Sequence, residues 1–411
     1  MGGKPTVAII GGGIGGLAAA LAFQRRGIEA RVYERSAGLV EIGAGLNLSP
    51  NALKSLRYLG VEAEAIKAGY QDEYQYIRSW RSGRIIARNY RGGGAAQFGA
   101  GYLTIHRADL QEILARTLAP NSLQLGFVCA GVEAQGTRAI AAFEDGSKVE
   151  ADIVIGADGI HSAVRRSLFG NDAPRFTGCV CWRGMVPIEA LKDSSISTQM
   201  TSWWGPHGHV VHYRVRSGAF VNFVAHYDSE AWLDESWTRE CESREILETY
   251  QAWHESLKTL FRFSERSYKW ALFDRDPLEQ WGRGAVTLLG DAAHPMLPYL
   301  GQGASMALED GCVLGDCVAA EADTHAALRM YEKLRMPRTR RAQLGSRERA
   351  KENHMPSAWS RLKRDVQLAL RTRFGKDATT NRGAWIYEYD PAQIVSNFGV
   401  EQAASDASQG V

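Results

Sequence analysis

Three glycine turns, each preceded by a short apolar run, lie far apart in this chain of 411 residues. Their sequences are Gly11–Gly16 (GGGIGG), Gly156–Gly159 (GADG) and Gly290–Pro295 (GDAAHP). A buried strand that ends in a glycine turn and leads into a helix is typical of sheets with helices packed on their faces. The sequence therefore predicts an α/β fold in which three such units occur.

The first turn has the context of a Rossmann-like dinucleotide site. We expect a strand at Thr6–Ile10 and a helix at Gly16–Arg26. Gly11 permits the sharp turn, Gly13 lets the backbone approach a pyrophosphate, and Gly16 allows close helix packing. The amino end of the helix adds N–H groups and a positive dipole end, so the turn is suited to bind phosphate.

A second strand, Ala30–Tyr33, ends in Glu34 about 20 residues after the motif, where a carboxylate accepts hydrogen bonds from ribose hydroxyls. Arg35 is a candidate for pairing with phosphate or adenine. These residues indicate a dinucleotide and do not say which one.

The other two turns suggest that the dinucleotide is long and is held along its whole length. Asp158 follows a predicted strand at Ala151–Ile155, where its carboxylate would meet ribose or nicotinamide groups, although an Asp-Gly pair alone is an ordinary turn. Asp291 follows a predicted strand at Ala285–Leu289 and is placed to accept from ribityl hydroxyls.

A helix is expected to open at Gly301–Ser305. The backbone N–H groups of Gly303 and Ala304 would face the pyrimidine end of a flavin and stabilise negative charge there. Three turns in this order favour FAD as the cofactor. His294, beside the third turn, is expected to have a structural role.

Composition limits the class of protein. A chain of this length exceeds the usual size of one core, so two domains are expected. The formal net charge of +2 gives no reason to expect nucleic acid, and no apolar run approaches the ~20 residues of a membrane span. Six cysteines without a C-x-x-C pair indicate reduced thiols, no metal site and a cytoplasmic protein.

The middle of the chain, residues 179–270, is rich in aromatic and β-branched residues and predicts a β-sheet that binds the substrate. Two runs around a turn at Arg216–Gly218 predict a hairpin. Period-two geometry places His209, Val211 and Tyr213 on one face of its first strand. His209 and Tyr213 are therefore candidate site residues, with ordinary packing inside the sheet as the alternative.

With these motifs in this order, residues 1 to about 345 resemble the class A flavoprotein aromatic hydroxylases of the para-hydroxybenzoate hydroxylase fold. Three stretches look most like salicylate hydroxylase, 6-hydroxynicotinate 3-monooxygenase and 3-hydroxybenzoate 6-hydroxylase: Glu41–Leu46, His106–Leu110, and Arg175–Gly178 with Trp182–Met185. Pro298 stands where the last of these enzymes has glutamine, which weakens that alternative.

The resemblance implies that Arg107 contacts the flavin phosphates or ribityl chain, that Val128 lies near adenine, and that His209 and Tyr213 touch the substrate. The full set of expected cofactor-binding residues is Gly11, Gly13, Gly15, Gly16, Glu34, Arg35, Gly45, Arg107, Val128, Asp158, Asp291, Pro298, Gly301, Gly303 and Ala304. The implied arrangement is an FAD-binding domain in two parts, residues 1–178 and 271–345, interrupted by the sheet domain and followed by a helical segment, residues 346–411.

The resemblance also implies a reaction. NADH or NADPH, bound transiently, reduces FAD; O2 then gives a C4a-hydroperoxyflavin that hydroxylates a small phenolic or N-heteroaromatic carboxylate, with or without decarboxylation. His209 would take the phenolic proton and Tyr213 would donate to a substrate oxygen.

Two other functions are compatible with a bound flavin. They are a flavin-dependent dehydrogenase or reductase that inserts no oxygen, and a non-catalytic flavoprotein that serves as a redox sensor or scaffold. We expect a monomer or homodimer, with helices at Met330–Arg349 and Asn353–Gly375 and a disordered tail at Glu401–Gly410.

Overall fold

The computed structural model describes residues 4–39, 45–229, 240–373 and 380–399. The predicted disordered tail lies outside these residues, as do Glu41–Ala44 of the motif that ends at Leu46. The described residues form a mixed α/β fold built mainly on two large sheets, with two smaller ones.

A five-stranded parallel sheet brings the three glycine turns together. Its strand order is β18, β11, β1, β2, β7. The strands are β1 (Val7–Ile10), β2 (Ala30–Glu34), β7 (Leu123–Leu125), β11 (Ile153–Gly156) and β18 (Val286–Leu288). Because β18, β11 and β1 are neighbours and parallel, the turns that follow them meet at one carboxyl edge, where open α/β sheets bind ligands.

Two helices cross closely beside this sheet because glycine faces alanine at their contact. They are α1 (Ile14–Arg25) and α9 (Gly303–Ala320). A Cβ added at Gly311 would lie 2.6 Å from the backbone nitrogen of Ala19, and one at Gly315 would lie 2.7 Å from the Cβ of Ala22. The short distance fixes the amino ends of both helices over the carboxyl edge.

The second sheet has eight strands in the order β16, β17, β12, β15, β14, β13, β4, β5. All neighbours are antiparallel except the parallel pair β4 and β13. The strands are β4 (Tyr74–Ser79), β5 (Ile85–Tyr90), β12 (Arg175–Pro187), β13 (Thr201–Gly205), β14 (Gly208–Val215), β15 (Phe220–Asp228), β16 (Glu240–Cys241) and β17 (Ser267–Asp274). The predicted hairpin is β14 and β15, and the sheet extends beyond residues 179–270 because it also recruits β4 and β5.

Smaller elements complete the described part of the fold. A three-stranded antiparallel sheet consists of β8 (Cys129–Gln135), β9 (Arg138–Phe143) and β10 (Lys148–Ala151). A two-stranded sheet consists of β3 (Gly45–Leu48) and β6 (Leu103–His106). The remaining shorter helices are α2 (Pro50–Leu59), α3 (Glu62–Ala68), α4 (Gly94–Phe98), α5 (Arg107–Arg116), α6 (Ala163–Phe169), α7 (Ser243–Thr249) and α8 (Glu255–Phe263). Single 3₁₀ turns occur at Ile188–Leu191, Gly290–Ala292 and Pro298–Leu300.

The carboxyl-terminal part is helical, with α10 (Thr324–Asn353), α11 (Ala358–Arg373) and α12 (Thr380–Tyr387). Helix α12 packs back on the body, since Arg338 of α10 donates to the carbonyl oxygens of Trp385 and Ile386. None of the helices described here is both long and apolar enough to span a membrane.

Candidate active site

One large cavity, of about 1730 Å³, is lined by both the glycine turns of the parallel sheet and one face of the eight-stranded sheet. Single ligand pockets are commonly about 300–1,000 Å³, so this cavity has room for a dinucleotide and a second small molecule. All the expected site residues line it except Gly16.

The first turn leaves open space where a pyrophosphate was expected. Gly11 has φ +110°, a conformation that side chains rarely adopt, and a Cβ there or at Gly16 would overlap backbone oxygen. At Gly13, by contrast, a Cβ would meet no atom within 4 Å. Gly11 and Gly16 are therefore required by packing, and Gly13 faces the cavity.

Glu34 is held in place at the end of β2. One carboxylate oxygen accepts from the backbone nitrogen of Gly12 at 2.6 Å, and the other accepts from that of Ser36 at 2.9 Å. Arg35 and Val128 line the same end of the cavity. This end presents the acidic and apolar groups that an adenosine needs.

Asp158 lines the cavity, but its carboxylate is already engaged by protein donors. It accepts from the hydroxyl of Ser162 and from the backbone nitrogens of Ala163 and Val164, the latter two at 2.7 and 3.2 Å. The side chain thus anchors the amino end of α6, and its predicted contact with ribose or nicotinamide stays a prediction.

The third turn carries charged groups deep in the cavity. Asp291 is open to the cavity but surrounded by protein, and this burial raises the pKa of its carboxyl although His294 and Arg107 oppose the change. Burial also lowers the pKa of Arg107, against the attraction of Asp291. A neutral ligand rich in hydroxyls, such as a ribityl chain, suits the space beside these two residues.

The amino end of α9 also opens into the cavity. Gly301 has φ +63°, and the helix begins at Gly303, where Gln302 makes no side-chain cap hydrogen bond and no other described side chain accepts from the first N–H groups. Pro298 and Ala304 line the same wall. Uncapped N–H groups at a helix amino end attract negative charge, so the described residues fit an FAD whose pyrimidine edge lies here.

The faces predicted for β14 agree with the structure. His209, Val211 and Tyr213 line the cavity, whereas Val210 is buried in the core on the other side of the sheet. His212 also lies on that other side, where its Nε2 accepts from the indole nitrogen of Trp203 at 3.1 Å.

Three residues around His209 were not found from the sequence. Its ring stacks on His226 with centroids 4.3 Å apart and planes 2° apart, and its Nδ1 lies 2.8 Å from Nε2 of His354. Nδ1 of His354 lies 2.6 Å from Oδ1 of Asp228. The alternation of faces along β15, which pairs with β14, was a signal that could have placed His226 beside His209. No local sequence pattern places His354 there.

Burial sets the ionisation of the two candidate catalytic residues. Burial, then the neighbouring His226 and His354, lowers the pKa of His209 well below its ordinary value. Burial raises the pKa of Tyr213 above the usual range of a phenol. At neutral pH the cavity therefore contains a neutral imidazole, which accepts a proton, and a neutral phenol, which donates a hydrogen bond.

His294 does not line the cavity. Its Nε2 lies 2.5 Å from Oδ2 of Asp310, and both side chains are buried. This contact supports the structural role expected for His294.

Helix α11 covers one end of the cavity, which the sequence did not indicate. Trp359, Arg364 and Leu368 are among its lining residues, and the guanidinium carbon of Arg364 lies 4.8 Å from the ring centroid of Trp204. The carboxyl-terminal segment therefore closes the space next to the eight-stranded sheet.

Known proteins share both sequence and fold with this chain. Residues 4–346 match the family described as FAD binding domain. A 3-amino-4-hydroxybenzoate 2-monooxygenase of Streptomyces platensis is 38% identical over 395 residues, which cover 96% of this chain and 98% of that protein. A 6-hydroxynicotinate 3-monooxygenase of Pseudomonas fluorescens is 35% identical, covering 83% of this chain and 90% of that protein.

A solved structure gives the same result for the fold. The crystal structure of Klebsiella pneumoniae HpxO, in complex with FAD and uric acid, superposes with a TM-score of 0.81 at 29% identity and covers 95% of this chain and 97% of that one. The predicted family resemblance and the predicted cofactor, FAD, are confirmed. The chain therefore belongs to the FAD binding domain family and is an FAD-dependent enzyme of the aromatic monooxygenase kind.

Proposed function

We propose that this protein uses NADH or NADPH, together with O2, to hydroxylate a small aromatic ring that carries a hydroxyl and a carboxylate. The observation that carries the proposal is the position of His209 and Tyr213 on one face of β14, in the same cavity as the uncapped amino end of α9. A proton acceptor and a hydrogen-bond donor thus face the space beside the expected flavin.

An aminohydroxybenzoate is the first substrate to test, because the Streptomyces relative is named for 3-amino-4-hydroxybenzoate and matches 96% of this chain. Arg183 is the proposed partner of the carboxylate. It lines the cavity, its guanidinium carbon lies 4.3 Å from the ring centroid of Trp270, and its Nε has no hydrogen-bond partner among the described residues. A guanidinium of this kind favours a planar carboxylate.

Each protein group has a defined task in this proposal. His209 accepts the phenolic proton. The resulting phenolate has a more electron-rich ring than the neutral phenol and is more reactive towards oxygen transfer. Tyr213 donates to a ring oxygen and fixes the orientation of the ring. Bound FAD, reduced by the nicotinamide nucleotide, supplies the activation of O2. The glycine turns and α9 hold and orient FAD, and the sheet with α11 limits the access of water.

The other parts of the proposal concern the whole protein. We propose an FAD-binding part made of residues 1–178 and 271–345, a substrate-binding sheet centred on residues 179–270, and a helical segment from residue 346. We also propose a cytoplasmic monomer or homodimer without a nucleic-acid or membrane partner, in line with its net charge of +2.

The test is a coupled assay on the FAD-loaded protein. NADH and NADPH oxidation and O2 uptake would be followed with 3-amino-4-hydroxybenzoate, salicylate, 3-hydroxybenzoate, 4-hydroxybenzoate, 6-hydroxynicotinate and 2-aminobenzoate, and products identified by mass under ¹⁸O2. The expected result is faster nucleotide oxidation with one ring and incorporation of one labelled oxygen. The mass also separates simple from decarboxylative hydroxylation.

Two outcomes would contradict the proposal. Oxidised or reduced product without labelled oxygen would favour a dehydrogenase or reductase. If the protein binds FAD but no aromatic compound in the panel accelerates the reduction of that FAD, the proposal that it hydroxylates such acids loses its support. His209→Gln serves as the active-site control, with His325→Gln, in the first turn of α10 and not part of the cavity lining, as the matched control.

A further inference from the structure

A row of three side chains leads from the surface to the cavity: Asp228, His354 and His209. We propose that Asp228 and His354 are positioning residues that fix the tautomer of His209 and pass its proton to the solvent. This inference rests on the proposed function, because it takes the ligand beside His209 to be a phenol.

The row has an exposed end and a buried end. Asp228 is the last residue of β15 and its side chain is 41% exposed, whereas His354 and His209 are 7% and 5% exposed. Of the two hydrogen bonds in the row, the one between His354 and His209 has a normal length of 2.8 Å, and the one between His354 and Asp228 is short at 2.6 Å. Water therefore reaches Asp228, and a ligand in the cavity reaches His209.

The carboxylate at the exposed end determines which ring nitrogen of each imidazole carries hydrogen. An ionised carboxylate only accepts hydrogen bonds, so Nδ1 of His354 must carry hydrogen and its Nε2 must be an acceptor. Nδ1 of His209 then donates to that Nε2. The remaining nitrogen of His209, Nε2, is left with a free lone pair, which is the state that a general base requires.

The surroundings of the row oppose a lasting positive charge on its buried part. Among the described residues, the ionisable groups packed around it include Cys179, Cys181, Arg183, His207, His226, Tyr250 and Tyr299. Burial, followed by His354 and Arg183, lowers the pKa of His226 well below its ordinary value, as burial does for His209. A proton that enters at His209 is therefore not retained there as a lasting charge, and the two hydrogen bonds of the row lead to the water-accessible end at Asp228.

The proton transfer balances. The phenolic O–H bond breaks and its proton binds Nε2 of His209, while the Nδ1 proton of His209 moves to Nε2 of His354. The Nδ1 proton of His354 moves to Asp228, which releases it to water, and the substrate keeps the electron pair as phenolate. A proton that returns through the row to the product oxygen restores both starting tautomers.

Proton release on ligand binding tests the row without turnover. The FAD-loaded, oxidised protein would be mixed with 3-amino-4-hydroxybenzoate in weak buffer containing a pH-indicator dye, with 3-aminobenzoate as the ligand that lacks the phenol. We expect the phenol alone to release protons, and His354→Phe and Asp228→Asn to slow the release at least about tenfold, in keeping with the usual contribution of positioned acid and base groups.

His354→Gln separates positioning from conduction. A glutamine amide accepts from His209 and donates to Asp228, so it maintains the tautomer, but it does not exchange the proton from one atom to the other. The glutamine variant should bind the ligand within about threefold of the wild type and release protons as slowly as the phenylalanine variant, and its rate of hydroxylation should lose the pH dependence of the wild type. His325→Gln, at the opposite end of α10 from His354, should behave as the wild type.

The results also separate the two proposals. If the wild type hydroxylates no aromatic acid, the proposed function fails. If it does so while the Asp228 and His354 variants release protons at the wild-type rate with an unchanged pH profile, only the relay is overturned. Because Cys179, Asp228 and His354 offer ligand atoms within 4.8 Å of one another, loss of proton release after EDTA treatment would also overturn it in favour of a metal site.

Discussion

Gly13 and Gly16 stand in the same turn but have opposite surroundings, so the two substitutions to alanine should separate cofactor binding from folding. A methyl group at Gly13 meets no protein atom within 4 Å, whereas one at Gly16 would overlap the carbonyl oxygen of Gly11. We expect Gly13→Ala to fold normally and bind FAD at least about tenfold more weakly, because the methyl occupies space needed by a phosphate.

Gly16→Ala should instead lower the unfolding midpoint of the protein even without FAD, since overpacking costs about 1–3 kcal/mol. Titration of the apoprotein with FAD, and urea unfolding without it, would check the pair. Normal FAD affinity in Gly13→Ala would mean that the pyrophosphate lies elsewhere.

Arg183 gives a second prediction at the residue scale. Arg183→Gln should weaken the binding of 3-amino-4-hydroxybenzoate about ten- to a hundredfold, because a hydrogen bond to a charged group contributes about 1.5–3 kcal/mol. The corresponding carboxamide has no charge, so we expect the variant to bind it almost as tightly as the wild type does.

Arg175→Gln is the matched control, since this arginine lies on the same strand with its side chain 67% exposed. Dissociation constants from the perturbation of the flavin spectrum would check the prediction. Equal losses for the acid and the amide would assign Arg183 to something other than the carboxylate.

Residues whose role follows from local geometry were predictable, and those whose role follows from distant contacts were not. Gly11 had to be glycine because of its backbone angle, and the face of His209 followed from the period of its strand. His354 lies 145 positions from His209 in the sequence, so no local pattern pairs them.

At the scale of elements, the hairpin of β14 and β15 was predictable because its two strands are joined by a short turn with positive φ at Arg216, Ser217 and Gly218. The addition of β4 and β5 to the same sheet was not predictable, because β4 pairs in parallel with β13, a strand that lies more than a hundred residues later in the sequence. Helix α11 was expected as a helix, but its place over the cavity depends on tertiary packing alone.

Helices α9 and α10 are joined by a buried ionic network that makes a prediction about stability. Arg335 is fully buried and lies 2.7 Å from both Glu309 and Asp310, which are also fully buried. Removing one member of such a network leaves uncompensated charge in the interior. We therefore expect Arg335→Leu to lower the free energy of unfolding by about 3–5 kcal/mol.

Arg340→Leu on the same helix is the control. Its partner Glu279 is 2.8 Å away, but the two side chains are 49% and 84% exposed, and exposed pairs contribute about 0–1 kcal/mol. Urea unfolding of both variants with saturating FAD would compare them. Similar losses would show that helix packing, and not the buried network, sets the stability of this contact.

At the scale of the whole molecule, strand order is what turns separate motifs into one site. The parallel sheet places β1 between β2 and β11, and β11 beside β18, so Glu34 and all three glycine turns reach the same edge. The motifs predict that these turns bind a dinucleotide, but the position of the eight-stranded sheet next to that edge depends on contacts between residues far apart in the chain.

The eight-stranded sheet also buries uncharged histidines, and this makes the stability of the molecule depend on pH. Burial, helped by Arg78, lowers the pKa of His212 to about 3, and burial also lowers those of His209 and His226. The unfolded chain binds protons at these positions below about pH 6.5, whereas the folded chain does not.

Their contribution to stability is thus complete above pH 6.5 and is lost as the pH falls towards the folded-state values. Between pH 6.5 and pH 5, each such histidine should lower the free energy of unfolding by about 1.4 kcal/mol for each unit by which the pH falls. His212→Gln, which retains an acceptor for Trp203, should remove one histidine's share of that slope. Urea unfolding with saturating FAD at pH 5, 6 and 7 would compare this variant with the wild type, and an unaltered slope would mean that this imidazole is protonated inside the folded sheet.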